Sequence, residues 1–307
     1  MDHRLESGAL RFRRTATAAP VRLAAWGSML VASPLFEIAG RQLGFGSPLW
    51  LPVAQSVALV VLALTILRVP RLRPLSRFVF ALAALRLGWD FLAPWLHATN
   101  LVRNWVKGAE WGESLFIARL LTIAAAGLMC LTLIGSGVGR RELFLRRGDM
   151  AAPAAPIWFL GLRRPLPWTI FGPALLVVFG IALPLFLYFS VRPNFADAAP
   201  VWHFLPWIFA VAALNAASEE FQFRCIPLAH LRNVMPPAEA ILLTAVLFGL
   251  GHFYGQPSGP IGCLMAGFAG WIWGRSMIET RGVAWAFSIH MVQDIVIFCF
   301  LAMVARK

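Results

Sequence analysis

The chain has 307 residues, of which 59% are hydrophobic and 13% charged, and its formal net charge is +13. Soluble domains carry about 25% charged residues, so this composition excludes a water-soluble globular domain, and its apolar content excludes intrinsic disorder. Long unbroken apolar runs, where a β-barrel would show alternation, leave a polytopic helical membrane protein.

The basic excess has a membrane explanation. All 27 basic residues except Lys107 and Lys307 are Arg, and they cluster in short segments between apolar runs. That is the positive-inside pattern, and no soluble basic domain is present to bind nucleic acid. Cys130, Cys225, Cys263 and Cys299 lack CxxC spacing and sit in apolar surroundings, as small buried hydrophobes do.

In chain order, residues 21–39 follow a basic start that holds Arg4, Arg11, Arg13, Arg14 and Arg22. Asp2 and Glu6 interrupt that start and no small-residue cleavage site precedes Glu37. The run therefore reads as a first transmembrane helix, not a removable signal. Further spans are predicted at residues 49–67, 78–96, 115–134, 169–191, 203–231, 238–254, 261–279 and 284–303. Each has about the length needed to cross a 30 Å core, although 238–254 is short. The expectation is an all-α bundle of eight or nine spans, with a cytoplasm-facing cavity. Residues 1–199 would supply amino-terminal helices, with an interfacial segment near 139–168, and residues 200–307 a carboxy-terminal core.

Basic loops at 68–77 and 139–168 join the amino-terminal segment on the cytoplasmic side, two runs apart in each case. Arg232, Arg275 and Arg281 then fall inside, whereas Arg306 and Lys307 fall outside, against the rule. The segment 139–168 mixes Arg with Trp158, Phe159, Leu160, Leu162 and Trp168, as expected of a stretch lying on the membrane surface or of a basic loop with interface anchors. Arg86 and Asp90 are four apart and are expected to pair within their helix, with Glu37, His97, His203 and His230 at interfaces.

Ionisable residues concentrate in the last third. Glu219, Glu220, Arg224 and Asp294 lie inside apolar runs, and left uncompensated they would cost roughly 10–14 kcal/mol to insert. His252 and His290 add to that polar content. Such groups must pair or line a wet cavity; a polar packing network is the structural alternative. Glu220 and Arg224 share a helix face and can neutralise each other, leaving Glu219 unmatched. Asn215, Ser218, Glu219 and Gln222 form a polar stripe expected to face that cavity. Phe248 with His252, and His290 with Asp294, repeat the four-residue spacing. A 1.5 Å rise places Glu219, His252, His290 and Asp294 roughly 8–20 Å deep, reachable from the cytoplasmic side. The Gly-Gln-Pro-Ser-Gly-Pro stretch after Tyr254 breaks the helix, and Gly249, Gly251, Gly267, Gly270 and Gly274 would let helices approach closely.

Glu-Glu-x-x-x-Arg at 219–224, Phe-x-x-x-His at 248–252 and His-x-x-x-Asp at 290–294 resemble the signature of the CPBP intramembrane proteases, which include the CAAX-prenyl endopeptidases and the Abi proteins. The resemblance covers about residues 200–300. It implies an intramembrane glutamic endopeptidase, in which Glu219 activates water with help from His252. Glu220, Arg224 and Phe248 would support them, and His290 and Asp294 would hold the substrate carbonyl or its oxyanion. Prenyl endopeptidases usually carry Asn at the last position, so Asp294 departs from that branch. An ionised Asp cannot donate a hydrogen bond, so it is expected to be protonated or, preferably, to orient His290.

The implied substrate is a membrane-associated protein or peptide, the setting a lipid bilayer, and the compartment a bacterial inner membrane with a cytoplasmic amino terminus. No cofactor is expected. Zinc held by the same carboxylates and histidines is the alternative, although no His-Glu-x-x-His motif occurs. Two further functions stay open: a non-catalytic scaffold of the same fold, and a proton-coupled transporter, which the lack of an internal repeat disfavours.

Overall fold

The computed structural model describes residues 17–193 and 198–305. Arg4, Arg11, Arg13, Arg14, Arg306 and Lys307, on which part of the orientation argument rests, lie outside the described residues. Each of the nine apolar runs is helical. The first divides into α1 (Ala19–Ala32) and α2 (Leu35–Gln42), bent by 57° at Ser33-Pro34. Then follow α3 (Trp50–Arg68), α4 (Ser76–Leu87), α5 (Ala93–Ala98), α6 (Asn100–Val106) and α7 (Trp111–Cys130). After a two-stranded ladder, β1 (Pro153–Ala154) and β2 (Leu166–Pro167), come α8 (Trp168–Val191) and α9 (Ala199–Glu220). The chain ends with α10 (Ile226–Leu231), α11 (Pro237–Gly251), α12 (Gly259–Thr280) and α13 (Ala284–Val304).

Among the described residues, six helical stretches are long and apolar enough to cross a membrane, and the bent α1–α2 pair makes a seventh. That is fewer than the eight or nine expected. With 15 residues, α11 rises only about 22 Å, short of a 30 Å core. The 22 residues of α12 have the length, but Gly and Trp dilute their apolarity.

Two helices carry π-helical turns, at Gly88–Leu92 between α4 and α5, and at Phe221–Cys225 between α9 and α10. The cause is the same in both. Pro94 and Pro227 sit at the second position of the helix that follows, without an N–H for the carbonyl four residues back. The proline ring also crowds that carbonyl, and the preceding turn widens by one residue. The two turns meet: Trp89 Nε1 donates to Gln222 Oε1 at 2.8 Å.

Glycine brings α11 against α12. A Cβ on Gly249 would lie 2.6 Å from the Cys263 carbonyl oxygen, and one on Gly274 would lie 3.2 Å from Ile241. Gly251, expected to share this role, has nothing within 4 Å of its Cβ position, because it lies at the open end of α11 beside a cavity.

Several polar residues differ from expectation. Glu37 is buried, not interfacial: Arg86 donates to its Oε1 at 2.5 Å and to Gln55 Oε1 at 2.8 Å, while pairing with Asp90 at 2.8 Å. One arginine thus ties α2, α3 and α4 together. His230 is buried, with Nε2 2.9 Å from Thr132 Oγ1, and His97 and His203 are exposed. Trp168 is buried and donates to Glu279 at 2.8 Å, so it packs in the core, whereas Trp158 and Phe159 are exposed at the tip of the β1–β2 ladder.

The described basic segments gather at one end of the bundle. Arg22 at the start of α1 pairs with Glu239 at the start of α11, and Arg232 after α10 pairs with Glu142 in the 139–168 segment. Arg77 donates to the Gly135 carbonyl beyond α7, and Arg275 to the Ala155 carbonyl. Hydrogen bonds from its own amide and that of Gly139, with Arg232 nearby, hold the Glu142 carboxyl below the usual range.

Gly249→Ala is expected to destabilise the protein by about 1–3 kcal/mol, since two backbones must separate. Gly251→Ala is expected to be neutral. Thermal unfolding of both variants in detergent checks the contrast.

Candidate active site

The site starts from a charge problem in α9. Its last residues are Glu219 and Glu220, both in the lipid-spanning stretch Val201–Leu231. Burial of a carboxylate there demands a partner. Glu220 finds two: its Oε1 accepts from Arg224 Nη1 at 2.7 Å and lies 2.8 Å from His290 Nδ1. The pair is closed off from solvent, with side-chain exposures of 0% for Arg224 and 1% for Glu220.

Aromatic rings complete the surroundings of the arginine. Its guanidinium carbon stands 3.9 Å from the Phe248 ring centre and 4.7 Å from that of Trp273. Faces of aromatic rings attract cations, more strongly when water is excluded. A Cβ on Gly270 would meet Arg224 Nη2 at 2.5 Å, so the missing side chain there makes room for the guanidinium. Trp273 also stacks on His290, with centres 4.0 Å apart and planes 13° from parallel.

One residue back, Glu219 lies about 100° round the helix and faces a different environment. It lines a cavity of about 470 Å³ together with Asn215, His252 and Asp294. His290 Nε2 stands 3.5 Å from Glu219 Oε2 and 3.6 Å from Asp294 Oδ2. Those separations exceed a hydrogen bond but fall within ion-pair distance; Glu219 and Asp294 line the cavity, and the buried His290 stands behind them. Asn215 donates to Asp294 Oδ2 at 2.9 Å.

His252 caps α11, where the helix stops ahead of the Gly-Gln-Pro-Ser-Gly-Pro break. Its Nδ1 donates to the Phe248 carbonyl at 2.9 Å, and its ring lies 4.2 Å from the Phe248 ring. In the neutral ring this leaves a lone pair on Nε2.

The structure therefore brings together all seven residues singled out: Glu219, Glu220, Arg224, Phe248, His252, His290 and Asp294. Their internal pairing adds one contact to those expected, since Asp294 still lies beside His290 Nε2. Glu220, not Asp294, takes the Nδ1 side of His290, because α9 and α13 pack face to face while Asp294 lies one turn further along α13. The polar stripe of α9 also divides. Asn215 and Glu219 line the cavity, whereas Gln222 is buried, donating to Ser218 Oγ at 2.6 Å and accepting from Trp89. Among the described residues no group of three His, Cys, Asp or Glu side chains is arranged to hold one ion.

Sequence reasoning missed four members of the cavity wall. Trp89, Arg119 and the Arg86–Asp90 pair line the same cavity from α7 and the α4–α5 stretch. Arg119 carried a readable signal: it interrupts the apolar run 115–134 with no acidic residue three or four positions away. A second, apolar cavity of about 190 Å³ lies between α8, α12 and α13, and its lining includes Leu183, Met265 and Ile297. His252 and Asp294 line both cavities.

Residues 201–296 match the family model described as type II CAAX prenyl endopeptidase Rce1-like. This stretch contains all three motifs, and the match supports a CAAX-type intramembrane protease in general. No curated protein and no solved structure matches the chain. With its long apolar helices, the chain is an integral, multi-pass membrane protein.

Removing one partner of a buried ion pair costs about 3–5 kcal/mol, mostly for the charge left behind. Arg224→Met is expected to destabilise by that order, and adding Glu220→Gln to recover part of it. Unfolding in detergent, run as a double-mutant cycle, measures the coupling.

Proposed function

We propose that the protein is an intramembrane glutamic endopeptidase that hydrolyses a peptide bond in a membrane-associated protein or peptide. The observation that carries this reading is the convergence of Glu219, His252 and Asp294 on one cavity wall, with His290 Nε2 directly behind Glu219 and Asp294 at 3.5 and 3.6 Å. The match over residues 201–296 gives the reaction class.

In this mechanism Glu219 accepts a proton from water as the water oxygen attacks the scissile carbonyl. Glu219 makes no hydrogen bond through Oε2 and is therefore free to take the proton. His252, with Nδ1 committed to the Phe248 carbonyl, orients the water through Nε2. Negative charge develops on the carbonyl oxygen and is met by His290, which carries a proton on each nitrogen, one held by Glu220. Asp294 balances that charge and holds Asn215. The C–N bond then breaks, and the proton on Glu219 passes to the leaving amine. No covalent intermediate forms.

The pairing of His290 with Glu220 relieves Asp294 of any need to orient the ring. Asp294→Asn is accordingly expected to retain activity, because Asn still accepts from Asn215 and can itself donate to the oxyanion. The basic end of the bundle faces the cytoplasm on the positive-inside rule, which puts the amino terminus there as well. A bacterial inner membrane is the compartment proposed.

The decisive comparison is of new peptide termini in membranes that express wild type or Glu219→Gln at equal levels. Termini that depend on Glu219 are expected. Identical profiles, with the variant still rescuing a deletion strain, would leave a scaffold. Zinc chelators are expected to leave cleavage by purified protein unchanged, and a loss that added zinc restores would move the mechanism to the metal.

A further inference from the structure

Arg119 lies in the middle of α7, within the membrane-spanning stretch Trp111–Leu133. A charge at that depth costs about 2.5–3.5 kcal/mol to insert and is normally paired. Its guanidinium makes no hydrogen bond, ion pair or ring contact with any described residue. It is half-buried in the wall of the cavity that holds Glu219 and Asp294, and acts electrostatically on both across it.

The other charged side chains in that wall each have a neighbour of opposite sign within 4 Å, counting His290 in its protonated form. Arg86 is held by Glu37 and Asp90, and Glu219 and Asp294 stand about His290. Arg119 alone among these charged side chains has no partner of opposite sign within 4 Å among the described residues. A guanidinium presents paired N–H groups that fit a carboxylate in two parallel hydrogen bonds, strongest where water is scarce. An arginine serving only to offset Glu219 and Asp294 would be expected in contact with one of them.

We propose that Arg119 is a specificity-determining residue that docks a carboxylate of the substrate, either the terminal carboxylate of the peptide or an acidic side chain. The proposal rests on the peptidase reading for what enters the cavity. Its test needs binding alone, so the two can fail separately. Docking there fixes the peptide relative to Glu219, and so fixes which bond lies over the catalytic groups.

The test uses the full-length protein in detergent, as Glu219→Gln so that nothing is cut. Four dansyl peptides are titrated: Leu-Ile-Leu as the free acid, its amide, and the amides of Leu-Glu-Leu and Leu-Gln-Leu, all followed by dansyl fluorescence. An acid is expected to bind about tenfold or more tightly than its neutral counterpart. Preference within the first pair assigns the terminal carboxylate, and within the second the side chain. Arg119→Gln is expected to reduce the preference below about twofold, and Arg119→Lys to keep part of it. A role as mere counter-charge would shift acid and neutral peptides alike. Equal binding within both pairs overturns the proposal, as does a preference that survives Arg119→Gln. The first of these outcomes needs no Arg119 variant to fold.

Discussion

The ion pair between Glu220 and Arg224 is the constraint on which the carboxy-terminal third of the chain depends. Both side chains are buried, and lipid supplies no water to share their charge. The pair is therefore tolerated only with further support, and that support comes from three other helices. Phe248 of α11 and Trp273 of α12 cover the guanidinium, Gly270 of α12 leaves space for it, and His290 of α13 meets the carboxylate. Four helices are thus positioned about one arginine. The same arrangement sets Glu219: with its neighbour fixed inward, the rotation of one residue turns it toward the cavity.

What could be read from the sequence was whatever a single helix encodes. The helical runs, the pairing of Glu220 with Arg224 and that of Arg86 with Asp90 follow from a repeat of 3.6 residues, and the structure has all of them. Contacts between helices were not readable in this way. Glu37 looked interfacial because its partner lies 49 positions away, on a helix whose rotation the sequence does not specify. His290 looked like the partner of Asp294 because the two are four apart, yet packing of α13 on α9 gave Nδ1 to Glu220. Pro94 and Pro227 were visible, but not that the widened turns they cause would meet through the Trp89–Gln222 hydrogen bond.

Hydrolysis inside a membrane makes opposed demands. On the proposed mechanism the scissile bond needs water and charged catalysts, while a membrane-embedded segment beside it would favour a dry surface. The cavity pair meets both demands by position. Arg86, Asp90, Arg119, Asn215 and Glu219 bring polar groups to one cavity, while Leu183, Met265 and Ala266 keep the other apolar. His252 and Asp294 form part of both walls, and on the proposed mechanism the reacting carbonyl sits at that boundary.

The boundary also accounts for the early end of α11. A full-length helix would carry His252 onward within a continuous hydrogen-bond ladder and would close the wall with side chains. Because α11 stops at Gly251, the backbone turns away and the imidazole becomes the last feature of the helix, facing both spaces. Irregular backbone within a membrane is stable only against protein or a cavity: α12 packs behind it through Gly262, whose Cβ position is occupied by the Pro257 carbonyl, and the cavity lies in front. A helix too short to span the bilayer is, in this fold, the means by which a histidine is brought to the cavity lined by the carboxylates of Glu219 and Asp294.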